Sequence, residues 1–330
     1  MRVFYCGFNL YGQFINHSNI IVERFIDYTY EDVTSIEFNQ TFSVIFKNEN
    51  IYLHGRKADK THQIQRIEIP ENLKILQISC TDDKVLFLAN DSILKLDLNK
   101  CDRLVPEPLP SNIFSNDPII KIASGSKINA ALTEQGTLYT FFNKLNFSNK
   151  DIVDICAGRE HCLILDDTGN VYSFGRGSRG QLGHGSLEDE LEPKLIEALA
   201  GIKISKIATG GWHSCAVSAE GDVYTWGWNG NGQLGIGKIN EEAVGVMAIP
   251  QVVDFPDDSN AIDVACGNRH TIVLLDNADL FGAGWNKYHQ LGNIENENEN
   301  IFRMTHLYSF SNFNVNNIKC GPWSTVVIVN

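Results

Sequence analysis

The chain has 330 residues, with 27 Lys+Arg against 40 Asp+Glu and a formal net charge of −13. That balance argues against a protein whose main task is coating phosphate backbone, which favours a basic face. At 43% hydrophobic and 10% aromatic residues, the composition is that of a globular chain and excludes a disordered one.

In chain order, Met1–Phe14 reads MRVFYCGFNLYGQF, a short strand running into a glycine-rich turn at Gly7. Three weak units follow. IEFNQTFSVIF is anchored at Asn39 with Gly55 sixteen residues on, ISCTDDKVLFL at Thr81 with Asp97 sixteen on, and IASGSKINAAL at Gly125 with Phe142 seventeen on. Three strong units come next: ICAGREHCLILDDTGNVYSFGRGSRGQLG from Ile155, IATGGWHSCAVSAEGDVYTWGWNGNGQLG from Ile207, and VACGNRHTIVLLDNADLFGAGWNKYHQLG from Val264. Each carries G-x-x-H, an alternating apolar stretch, a polar turn, a second strand, and a loop ending in Q-L-G. Their anchors pair Gly158 with Gly175, Gly210 with Gly227 and Gly267 with Gly284, always seventeen apart. Runs of β-branched and aromatic residues between Gly-rich turns are strands.

The last anchor is Gly321, in IKCGPWSTVVIV, nine residues before the end of the chain. Its second half is matched by Met1–Phe14: counted from Gly321 through Asn330 and on from Met1, Gly7 falls sixteen residues away. A linear solenoid would carry atypical polar caps. A repeat split between the termini describes a ring instead, and a period of roughly 40–50 residues with several short strands marks propeller blades. The expectation is an all-β, seven-bladed β-propeller, closed by pairing of the N- and C-terminal strands in one blade so that no strand edge stays open. Residues 1–330 are expected to form one such domain, with clear repeats at 150–292 and 318–330 and degenerate ones over 1–150.

No apolar stretch approaches the ~18 residues of a membrane span, and Met1–Gly7 lacks the features of a signal peptide, so an intracellular protein is expected. The eight cysteines have no C-x-x-C pair and read as structural thiols. Gly175–Gly180 fits G-x-G-x-x-G, but Gln181-Leu182-Gly183 is a poor helix start, so it reads as a blade turn and not a dinucleotide site. His161, His213 and His270 recur at one repeat position, where ring symmetry spreads them apart. The pairs Asp166-Asp167, Glu241-Glu242 and Asp257-Asp258, and the acidic run Ile294–Asn300, read as solvated loops. No catalytic residue, cofactor site or metal site is expected.

Two positions lie between each first anchor and the next strand, and across blades they should share one rim. Trp212 and Trp323 occupy such positions without a packing duty that the repeat dictates, and Arg159 and Arg269 occupy equivalent ones. Exposed aromatics and arginines are common interface anchors, so the candidate protein-binding rim is Arg159, Glu160, Trp212, Asn268, Arg269, Pro322 and Trp323.

G-x-x-H followed by V-Y-x-W-G and G-Q-L-G resembles the regulator of chromosome condensation repeat family. Within it, RGQLGHGSLEDELEPKLIEAL, GGWHS, WGWN, CGNRH and CGPWST are similar to small animal members made of little but the repeat domain. That resemblance implies a protein-interaction scaffold partnered by a Jumonji-type oxygenase (histone demethylase), in chromatin regulation, chromosome segregation and spindle organisation. It also implies a nuclear or chromosomal location, with the cytoplasm a further one, contact with histone or microtubule-linked complexes through the partner, and histidines that hydrogen-bond within their own blades. Neither direct nucleic-acid binding nor a membrane is expected. The alternative is nucleotide exchange on a Ran-like small GTPase. Exchange members place acids at several rim pairs, carry a protruding hairpin and have a basic N-terminal tail. Here only Asp82-Asp83 and Arg159-Glu160 hold an acid among seven pairs, and neither the hairpin nor the tail is evident.

Overall fold

The computed structural model describes residues 1–14, 17–57, 60–69, 73–90, 92–98, 104–107, 117–140, 143–147, 151–237, 245–256, 259–292, 294 and 299–330. The anchor Phe142, Cys101, Glu241-Glu242, Asp257-Asp258 and most of the acidic run lie outside them. The described strands form seven antiparallel sheets, six of four strands and one of three. These are the blades of an all-β propeller. No α-helix occurs among the described residues, and no helix is long and apolar enough to cross a membrane.

Blades 1 to 6 run in chain order, with innermost strands Val33–Phe38, Ile75–Cys80, Ile119–Ser124, Ile152–Ala157, Ile204–Thr209 and Ala261–Cys266. Blade 7 has Val315–Gly321 innermost, then Ser324–Val329, then Arg2–Phe8, then Ile21–Thr29. Arg2 pairs with Val329 and Gly7 with Ser324, so the two termini close the ring within one sheet, as the repeat phase requires. Each innermost strand packs against the innermost strands of the blades on either side.

The core is a ring as well. Among the described residues seven apolar clusters are present, each spanning the interface between one blade and the next. This explains why the second strand of a strong blade is buried throughout, as in His161–Asp166. Successive side chains on a strand point to opposite faces. Cys162 and Ile164 therefore pack toward blade 3, while Leu163 and Leu165 pack toward blade 5.

Every innermost strand breaks register with its neighbour after its first residue. Such bulges re-aim a side chain. Leu76, Ile120, Val153 and Ile262 occupy these bulge positions and are exposed, at the end of the ring opposite the anchor glycines.

Candidate protein-binding rim

The first anchors of all seven blades (Asn39, Thr81, Gly125, Gly158, Gly210, Gly267 and Gly321) meet around one mouth of the central channel. Glycine is required by close approach: a Cβ on Gly158 would lie 2.4 Å from the Gly210 carbonyl oxygen, and one on Gly210 would lie 2.5 Å from that of Gly267. Blade 1 solves the contact differently, with the Asn39 side-chain amide donating to the Thr81 carbonyl at 2.6 Å.

The second anchors build the rim outside that mouth. Gly175, Gly227, Gly284 and Gly7 pair across the sheet with His161, His213, His270 and Ser324. Each adopts a φ between +104° and +116°, left-handed backbone that disfavours residues with a Cβ. This pairing sets the residue after each second anchor beside the residue before each histidine or its counterpart. Arg176 N–H donates to the Glu160 carbonyl, Trp228 to Trp212, Trp285 to Arg269 and Phe8 to Trp323, at 2.8–3.0 Å.

The result is a continuous chain of cations and aromatics over blades 4 to 7. Arg159 lies 5.2 Å from the Trp212 ring centre, and Arg179 lies 4.9 Å from Trp212 and 5.3 Å from Trp228. Trp212 meets Trp228 edge-on at 5.7 Å. Arg269 lies 5.3 Å from both Trp228 and Trp285. Trp285 then meets Trp323 at 6.0 Å, and Tyr288 and Phe8 close around Trp323 at 5.3 and 5.5 Å. Guanidinium over indole is the strongest common cation–π pairing, worth about 0.5–1 kcal/mol when exposed and more when desolvated.

The structure thus brings Arg159, Trp212, Arg269 and Trp323 onto one rim, and it corrects the reading of the tryptophans as free of packing duty. Both are half-buried, and the Trp323 indole nitrogen is enclosed with no hydrogen-bond partner among the described residues. Pro322 and Asn268 line the channel mouth with Arg159. Glu160 is occupied: it accepts from Lys127 at 2.5 Å and lies 3.6 Å from Arg176. The Lys127 hydrogen bond, aided by Arg176 and the Trp212 indole against the cost of burial, holds its carboxyl below the usual carboxylate range. Arg179, Trp228, Trp285 and Tyr288 belong to the same surface. The signal for them is the anchor spacing, which fixes what lies beside each rim pair.

The histidines do not bond within their blades as the resemblance implies; they tie each blade to the next. His161 Nε2 meets Ser214 Oγ at 2.8 Å, His213 Nε2 meets Thr271 Oγ1 at 2.9 Å, and His270 Nε2 meets Thr325 Oγ1 at 3.3 Å. Those hydroxyls donate to the carbonyls of Gln181, Gln233 and Gln290 at 2.6–3.0 Å. A hydroxyl has one proton to give, so each imidazole must donate from Nε2. Burial lowers the pKa of His161 to about 3 and of His270 to about 4.

The G-x-G-x-x-G segment is a turn with its amides engaged: Gly177 N–H donates to Asp189 at 2.8 Å, and Arg179 N–H to the Gln181 side chain at 2.8 Å. Asp166 caps its own turn through Thr168 and Asn170. The seven described cysteines are free, and burial pushes the thiols of Cys80, Cys162, Cys266 and Cys320 well up. Among the described residues no group of three or more His, Cys, Asp or Glu is placed to hold a metal ion.

Models of the regulator of chromosome condensation (RCC1) repeat match residues 152–181, 168–217, 204–233, 220–274 and 261–290. Residues 152–290 carry RCC1 repeats. It is 37% identical over 203 residues to RCC1 domain-containing protein 1 of Homo sapiens, covering 52% of this chain and 54% of that protein. It is 30% identical over 278 residues to the ultraviolet-B receptor UVR8 of Arabidopsis thaliana, covering 75% and 61%. The chain therefore spans little more than half the length of these curated relatives. Among solved structures, Prp20p of Saccharomyces cerevisiae, described with its binding to Gsp1p and histones, superposes with a TM-score of 0.80 over 99% of this chain and 91% of that one. At 17% identity that likeness shows the fold alone.

Proposed function

We propose that this RCC1-repeat propeller is a non-catalytic interaction scaffold that docks a protein partner on the rim carrying Arg159, Trp212, Arg269 and Trp323. The observation that carries it is the unbroken arginine–tryptophan chain across four blades on one face. Tryptophan and arginine dominate interface hot spots, and half-buried rings held by neighbours lose little entropy on binding. Protein docking by a relative of the same fold, as the Prp20p structure is described, supports this reading. The family resemblance supplies the partner class, a Jumonji-type oxygenase, and with it a nuclear role in chromatin regulation, chromosome segregation and spindle organisation.

Capture from a cell extract followed by mass spectrometry tests it, with wild-type protein beside Trp212→Ala and Trp323→Ala. The expected outcome is one partner set lost with Trp212→Ala, a cost on the order of 2 kcal/mol for an interface anchor, with a single cooperative thermal transition retained. Normal capture by both variants would move the docking face elsewhere, to the strand Val246–Val253 and the residues beside it. Exchange on a Ran-like GTPase is the rival, separated by one assay: a scaffold leaves GDP release from Ran unchanged, and an exchange factor accelerates it.

A further inference from the structure

Two arginines of the rim stand apart from its other charges. Glu160 is taken by Lys127 and Arg176, Asp82 lies 3.9 Å from Arg159, Asp189 accepts from the Gly177 amide, and Glu299 lies 3.7 Å from Lys287. Among the described residues no carboxylate reaches Arg179 or Arg269, although acids outnumber basic residues in the chain by 13. Both guanidiniums are nevertheless held in place. Arg179 rests against Trp212 and Trp228, and Arg269 against Trp228 and Trp285.

An arginine stacked on an indole keeps the N–H groups at its edge available, and those edges match a carboxylate bidentately. Stacking also removes part of the side-chain entropy that an exposed arginine loses on pairing. Two such groups that no carboxylate of the described residues reaches, in an acidic protein, suit an anionic ligand. Both lie 5.3 Å from the Trp228 ring centre, so the two guanidinium carbons are at most about 11 Å apart. Residues i and i+2 of an extended chain share one face about 7 Å apart, and their side chains bridge the remaining difference.

We infer that Arg179 and Arg269, clamped by Trp212, Trp228 and Trp285, read an extended acidic segment of a protein partner with carboxylates at alternate positions. This rests on the docking-rim reading and names the chemistry of its partner. Nucleic acid fits less well. Arginines already cover Trp212 and Trp228, which leaves those indoles poorly placed for base stacking, and a long polyanion meets the repulsion of the whole −13 chain.

The test is fluorescence anisotropy with a labelled peptide of four Glu-Ser repeats, beside four Lys-Ser repeats, a Glu-block peptide of the same composition, and oligouridylate. Tightest binding is expected for the alternating acidic peptide, weakening with added salt. A loss of at least about tenfold is expected in Arg179→Gln/Arg269→Gln, with a single cooperative thermal transition retained. Arg179→Lys/Arg269→Lys keeps both charges without the planar fork and should fail to restore binding. Equal binding by wild type and the glutamine variant, rescue by lysine, or preference for the block peptide or the oligonucleotide would each overturn the inference. If the peptide ignores both arginines while Trp212→Ala still loses its cellular partner, the docking rim stands and the acidic-segment reading falls.

Discussion

At the residue scale, His161, the repeat histidine of blade 4, does its work by being uncharged. It sits where its Nε2 proton reaches a Ser or Thr hydroxyl of the next blade, and that hydroxyl in turn reaches a glutamine carbonyl. Protonating the buried ring would place a charge where nothing solvates it. The pKa values of about 3 for His161 and about 4 for His270 and His54 lie below the unfolded value of about 6.5. Between those limits the unfolded chain binds more protons than the fold, so stability is fully present above pH ~6.5 and falls as the pH drops toward 4. Each such histidine contributes a slope of up to about 1.4 kcal/mol per pH unit. Denaturant unfolding across pH 4 to 7 should show this slope, and His161→Gln should flatten it by about one proton whatever it does to absolute stability. A slope unchanged in that variant would mean the ring is protonated in the fold. The recurrence of these histidines is plain in the sequence. Their direction is not, because a residue three past an anchor glycine can reach its own sheet or the next, and the choice depends on how closely the anchors approach across blades.

At the element scale, the two anchor sets divide the labour: the first holds blades together at the channel mouth, and the second aligns the rim. A Cβ on Gly227, whose φ is +104°, would lie 2.6 Å from the Trp212 carbonyl oxygen. Gly227→Ala is therefore expected to cost about 2–3 kcal/mol and to displace Trp212. Gly201, at φ +85°, has nothing within 4 Å of the point where a Cβ would stand. Gly201→Ala therefore loses only the backbone preference, about 1 kcal/mol. Chemical denaturation of both variants checks the contrast, and equal losses would contradict it. The strand Arg2–Phe8 is the other exposed dependency, since it pairs with Ser324–Val329 on one side and Ile21–Thr29 on the other. Deleting the first ten residues should abolish a single cooperative thermal transition, because both edges open and the clusters with blades 6 and 1 lose Phe4 and Tyr5. A truncated chain that melts like the full one would show that closure lies elsewhere.

The spacing of seventeen between anchors made blades 4 to 6 legible from sequence, and the phase from Gly321 to Gly7 made the closure legible. Blades 1 to 3 were harder because Asn39, Thr81 and Asp97 replace glycines, and Phe42, Lys84 and Ile128 stand where the later blades carry histidine. The rim was half legible. Arg159, Trp212, Arg269 and Trp323 follow from position alone, whereas Trp228 and Trp285 end strands, Arg179 and Tyr288 lie in the turns that follow second anchors, and their approach to the first set depends on cross-strand register. The indole of Trp323 shows the remaining gap: the sequence places it on the rim, and only the packing of Phe8, Trp285 and Tyr288 shows how much of it is enclosed.

At the scale of the whole molecule, seven interblade clusters and one strand closure make a stiff ring, so a partner meets a surface arranged before contact. Such docking changes the protection of the surface it covers and leaves the blades themselves unaltered. Hydrogen exchange of the propeller, free and bound to the partner recovered from extract, tests the docking claim most directly. The account predicts slowed exchange confined to the rim turns at residues 158–161, 176–181, 210–213, 228–233, 267–270, 285–290 and 321–324. Slowing centred on residues 245–256, or on the bulge ring of Leu76, Ile120, Val153 and Ile262 at the opposite mouth, would contradict it.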